Sequence, residues 1–120
     1  MEWTLEDNNQ TRLLKSAEDI KSAVLEAMDE TIEYFILASS EPIRNCPFMQ
    51  ATRYEGDQIH LEVCIVKTKG VNSVYSQKCS PDVATILLQL FYTEGAVPDL
   101  SNWKFVGDFN NSDGIWHVVY

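Results

Sequence analysis

The stretch Asp57 to Lys67 reads DQIHLEVCIVK and carries an imidazole, a carboxylate and a thiol at alternate positions, His60, Glu62 and Cys64. Those groups can ligate a transition metal, exchange protons, or pair a nucleophile with a base. Flanking β-branched residues make the run read as a strand. Ile59, Leu61, Val63 and Ile65 then share one face, and His60, Glu62 and Cys64 share the other. Each strand residue advances about 3.3 Å, which separates His60 from Cys64 by roughly 13 Å. Zinc needs its ligand atoms about 2.0–2.3 Å from one centre. The three groups therefore do not converge on one ion, and His60 is out of reach as a base for Cys64. They read as the polar side of a half-buried strand.

Other chemistry is equally unsupported by spacing. His60-Leu61-Glu62 has the H-x-E form of the zinc deaminases, but that chemistry also needs P-C-x-x-C, and Cys79 is followed by Ser80-Pro81-Asp82. Cys79 precedes a helix start, where a thiolate can be favoured, yet its position also suits a small buried apolar group. There is no G-x-S-x-G, phosphate-binding loop, dinucleotide fingerprint or H-E-x-x-H. The sequence calls for no cofactor, no metal and no catalytic residue.

The elements that position these residues follow from periodicity and punctuation. MEWTLED alternates as a short strand, DNNQ turns it, and TRLLK returns. SAEDIKSAVLEAMDE is a helix with Ser16 as cap and Asp19 in the capping-box position. Its apolar stripe is Ala17, Ile20, Val24 and Ala27 or Met28. TIEYFILAS reads as a central strand and SEPIRNCP as a loop. FMQATRY, QIHLEVCIV and VNSVYSQK are further strands joined by short glycine turns. In SPDVATILLQLFYTEG, Ser80 caps a second helix, Pro81 opens it and Gly95 ends it. Val83, Leu87, Leu90 and Phe91 give its apolar face, widened by Ile86 and Leu88. NNSDG and IWHVVY suggest a final turn and strand, with Asp108, Asp113 and Trp116 as a second contact patch. The expectation for residues 1–120 is one α+β domain. Its antiparallel sheet has about five to six strands, with two helices packed on one face and the other face open.

That open face gathers candidate contacts. His60, Glu62 and Cys64 lie on it, with Gln50, Thr52 and Tyr54 if Met49 and Ala51 point inward, and Ser73, Tyr75 and Gln77 if Val74 does. Tyrosine, histidine and carboxylate on a sheet face suit a protein interface and equally suit any half-exposed sheet.

Charge narrows the partner. The net charge is −9, from 18 acids and 9 bases. This disfavours nucleic acid and anionic membranes and suits a basic protein. Ten acids against three bases fall within residues 1–41, and Glu26, Asp29 and Glu30 cluster late in the first helix, where its dipole disfavours them. The three cysteines, Cys46, Cys64 and Cys79, are odd in number and form no C-x-x-C pair. With no leader-like or membrane-spanning stretch, a cytoplasmic location is expected.

Three blocks together carry a resemblance: FILASSEP with PFMQATRYEGDQIHLEV, the capped helix SPDVATILLQLFYTEG, and Trp103 shortly after. Read so, the chain resembles the small immunity proteins of bacterial polymorphic-toxin and contact-dependent inhibition systems. The resemblance spans about two-thirds of the chain and rests on core pattern. It implies a small, acidic, cytoplasmic, non-catalytic protein that binds and blocks a cognate toxin, often a basic nuclease. It assigns no binding residue, because these vary between members. The residues themselves offer Tyr54, His60, Glu62 and Tyr75 on the sheet face and Glu26, Asp29 and Glu30 on the first helix. The alternatives are a small enzyme or ligand-binding domain using the sheet face as a pocket wall, and a subunit that self-associates through a sheet edge.

Overall fold

Among the described residues, alternating apolar residues build a seven-stranded antiparallel sheet, β1 (Trp3–Asp7), β2 (Thr11–Leu13), β3 (Tyr34–Ile43), β4 (Cys46–Tyr54), β5 (Gln58–Thr68), β6 (Val71–Cys79) and β7 (Lys104–Asn110). Helix α1 (Ala17–Met28) connects β2 to β3, and α2 (Pro81–Glu94) leads out of β6. The structure, a computed structural model, describes residues 1–68 and 70–110. The strand order is β2-β1-β3-β4-β5-β6-β7. The fold is α+β with an antiparallel sheet, of seven strands among the described residues rather than five or six.

Register aligns the core. Leu5, Leu37, Met49 and Val63 face one another in a row across four strands, and Phe35, Ala51 and Leu61 form a second row. All seven are closed to solvent, and they join the buried faces of both helices in one hydrophobic cluster. α1 contributes Ile20, Ala23, Val24 and Ala27, and it packs on β3, β4 and α2, while α2 packs on β5.

The stripe chosen by α2 differs from the expected one. Ala84, Leu88 and Phe91 are buried, whereas Val83, Ile86 and Leu90 are 44%, 55% and 42% exposed. Apolar residues lie almost all round this helix, so helical periodicity alone could not select the inward stripe. Ala84 has the small side chain that permits close approach to the sheet.

The helix signals took effect as read. Ser80 Oγ accepts a hydrogen bond from the Val83 N–H at 3.2 Å, Pro81 opens α2, and Gly95 closes it with φ of 63°. Asp19 reaches back to accept from the Lys15 and Ser16 N–H groups at 2.9 and 3.2 Å. Ser80→Ala should cost about 1 kcal/mol, and Ser80→Asp should retain the cap. Urea unfolding of the two variants checks this, and equal loss in both would remove the cap from the account.

The expected loop SEPIRNCP is instead a tight hairpin. β3 runs to Ile43, which pairs with Cys46, and Arg44 and Asn45 both take positive φ in the two-residue turn. Turns of that geometry match strand twist, and asparagine tolerates them. Two prolines, Pro42 and Pro47, disguised these strand ends. β7 was also not foreseen, because lysine, glycine, aspartate and asparagine weaken its strand signal. A register shift opposite Val74 and Tyr75 accommodates it. Asn110, the first residue of the expected NNSDG turn, ends β7; the rest of that turn and the IWHVVY strand, with Asp113, Trp116 and His117, lie outside the described residues.

Candidate functional site

β5 sits between β4 and β6, and its second face shows where the chemistry-bearing side chains go. Cross-strand pairing sets Thr52, His60 and Lys78 in one row and Gln50, Glu62, Ser76 and Lys104 in the next. Cys64 lies opposite Val74. This face is not uniformly open. Phe48, Cys64 and Val74 are buried on it, and Glu62 is only 1% exposed. Glu62 was expected on the wet side. Alternation chose its face correctly, but neighbours on a central strand shut out the water.

Among the described residues, neither Glu62 carboxylate oxygen has a hydrogen-bond partner. Burial therefore pushes its pKa up, from the usual 4.5 to about 7. A buried carboxyl with no paired charge avoids ionisation in this way.

Tyr54 and His60 come together, with ring centroids 6.4 Å apart, and Lys78 Nζ stands 3.9 Å over the Tyr54 ring. Tyr54, His60, Ser76, Lys78, Lys104 and Val106 line a cleft of about 650 Å³. His60 is held below its ordinary pKa, first by burial and then by the charges of Lys78 and Lys104. The cleft is thus locally cationic on a protein of net charge −9.

Tyr75 does not join them. It pairs with Val63, and Ser73 pairs with Ile65, so both occupy the core-side face, while Val74 and Ser76 occupy the His60 face. The opposite assignment required Val74 to point inward. Tyr75 instead packs on Phe105 at 5.5 Å, beside Lys67, whose Nζ lies 5.4 Å from the Phe105 ring centre. Lys67 pairs with Asp108 at 3.6 Å, and Asp108 also accepts from the Ser73 hydroxyl.

The late acids of α1 have local partners. Asp29 accepts from the Thr31 hydroxyl and from its N–H, at 2.9 Å for the latter, and these bonds lower its pKa. Glu30, with φ of 66°, pairs with Arg53 at 3.3 Å. The half-buried Glu26 gives its backbone carbonyl to Thr31 and Ile32. Much of what read as an acidic cluster is the turn chemistry that ends the helix.

No family model, curated protein or solved structure matches this chain. Function therefore has to come from the surfaces.

The cysteines offer little nucleophilic chemistry. Cys46 donates its thiol to the Phe48 carbonyl at 3.3 Å, and burial, with Cys64 nearby, pushes it up to about 12. Burial likewise raises Cys64 to about 12 and raises Cys79. Among the described residues, no three His, Cys, Asp or Glu side chains are grouped to hold a metal ion. No described helix is long and apolar enough to cross a membrane.

The surface least visible in the sequence lies on the helices. Leu25 of α1 is 57% exposed, and it shares a groove with Ile86 and with Glu18 and Asp82. Val83, Ile86 and Leu90 recur at intervals of three and four along α2, so they form one outward stripe. The signal was the excess of apolar residues on α2, more than one buried face can use.

Proposed function

We propose that this chain is an immunity-type binding protein that neutralises a cationic toxin domain by covering its active or substrate-binding surface. The observation that carries the reading is the outward apolar stripe of Leu25, Val83, Ile86 and Leu90 on acidic helices. α1 and α2 hold five acids, Glu18, Asp19, Glu26, Asp82 and Glu94, against one base, Lys21. Apolar anchors supply affinity where they are desolvated, and acids around them select and steer a basic surface. The helix layer suits such a partner better than the His60 face, where Lys78 and Lys104 would repel it. The resemblance to immunity proteins agrees with this arrangement, and a cytoplasmic location follows from the proposal.

The test is protection and binding. The basic toxin domain encoded beside this chain's gene should be neutralised by the wild type, and Ile86→Asp with Leu90→Asp should abolish protection without lowering the melting temperature. Association should slow by roughly tenfold or more between low and high salt. A salt-independent rate would remove the electrostatic part. Undiminished protection by the double variant, or no basic domain encoded there, would remove the reading.

A further inference from the structure

The cleft between β4, β5, β6 and β7 is spare under that reading, because its charge is opposite to the rest of the surface. We infer that it is a binding site for a small organic anion, with a phosphate or carboxylate head held by Lys78 and Lys104 and an apolar or ring portion against Val106 and the Tyr54–His60 pair.

The geometry is specific. Ser76 pairs with Lys104 on one side, and Lys78 lies two residues further along β6 on the same face. The two lysines are therefore diagonal neighbours, with backbones roughly 7–8 Å apart. Flexible stems let both ammonium groups reach one oxyanion placed between them. Lys78 is already positioned by the Tyr54 ring. A volume of about 650 Å³ is that of a small-molecule site, and such sites combine a few convergent polar groups with apolar lining. Two lysines beside a histidine repel one another in the empty protein, and an anion relieves that repulsion.

Glu62 adds a second, independent feature. Its carboxyl, without a hydrogen-bond partner among the described residues, lies in the row of Ser76 and Lys104. Protonated, it leaves the cleft cationic. Ionised, it adds a negative charge to the same face. Among the described residues, the titratable groups on this face are Tyr54 from β4, His60 and Cys64 from β5, Lys78 from β6 and Lys104 from β7. Of these, His60 gains charge as pH falls, in the same sense as loss of the Glu62 charge. Affinity for an anion whose own charge is constant over this range, such as benzoate, should therefore rise on going from pH 8 to pH 6.

The experiment is an NMR titration of the full chain with phenyl phosphate, benzoate and inorganic phosphate, at pH 6 and pH 8. A saturable response with dissociation constants on the order of millimolar or tighter is expected from phenyl phosphate or benzoate. Whichever is tighter assigns the head group as phosphate or carboxylate. Inorganic phosphate, lacking the ring, should bind more weakly. Lys78→Ala and Lys104→Ala should each weaken binding about tenfold. Saturation should also raise the His60 pKa, because the anion offsets the two lysine charges, and His60→Gln assigns that resonance. Absence of saturation by either aromatic anion would overturn the site. So would binding that survives both lysine substitutions in a folded protein. Neither outcome touches the helix-layer reading, whose test uses a protein partner and other residues.

Discussion

Phe91→Ala is expected to lower the unfolding free energy by about 3–5 kcal/mol, the usual loss when a buried phenylalanine becomes a cavity. Phe91 is fully buried in the core cluster and is the last inward residue of α2. It also stands edge-on to Trp3 at 5.0 Å, and Trp3 meets Tyr92 edge-on at 5.5 Å. The one ring therefore ties the C-terminal turn of α2 to the first strand. Its removal takes away an aromatic pair as well as the transferred area. Total stability of a domain this size is about 5–15 kcal/mol, so the variant should lose a large share of it. Phe91→Leu fills much of the space and should cost markedly less. Urea titration followed by far-UV circular dichroism measures both. A loss below about 1 kcal/mol for the alanine variant would mean that α2 is not anchored there.

Glu62→Gln should stabilise the protein at pH 8 and do little near pH 4.5. The Glu62 carboxyl keeps its proton to about pH 7 when folded, against an ordinary value of 4.5. The folded state thus binds more protons than the unfolded state between those values. Its contribution to stability is fully present below 4.5, declines as pH rises through the window, and is flat above about 7. A shift of that size corresponds to roughly 3 kcal/mol. The amide keeps the shape and cannot ionise, but it is also short of hydrogen bonds, so the expected gain at pH 8 is about 1–3 kcal/mol. His60, with its lowered pKa, works in the opposite sense over part of the same range. Asp19, Asp29 and Asp99 have lowered values and act only at lower pH. The readout is accordingly the difference between the two proteins at each pH, in which these groups largely cancel. Parallel stability curves from pH 4.5 to 8 would show that Glu62 has no unfavourable burial to relieve.

The sequence by itself determined the elements whose signals are local. Ser80, Pro81 and Gly95 bound α2 through capping, ring geometry and positive φ, all set within a few residues. Period-two alternation split Ile59, Leu61 and Val63 from His60, Glu62 and Cys64, because strand geometry forces neighbours to opposite faces. Tyr54 and His60 could be placed on one face for the same reason.

What only the tertiary structure decided depends on neighbours distant in the chain. Alternation says which face Glu62 takes, but its burial depends on β4 and β6 beside it. Tyr75 fell on the other face because the β5–β6 register pairs it with Val63, and register is a property of two strands. α2 turned Ala84, Leu88 and Phe91 inward instead of Val83 and Leu90 because packing closeness against β5, not periodicity, selects among apolar stripes. The diagonal approach of Lys78 and Lys104 across β6 and β7 joins residues 26 positions apart, through a strand whose own sequence barely reads as one. Local rules set the faces and ends of elements, and long-range packing set which of those faces meets water.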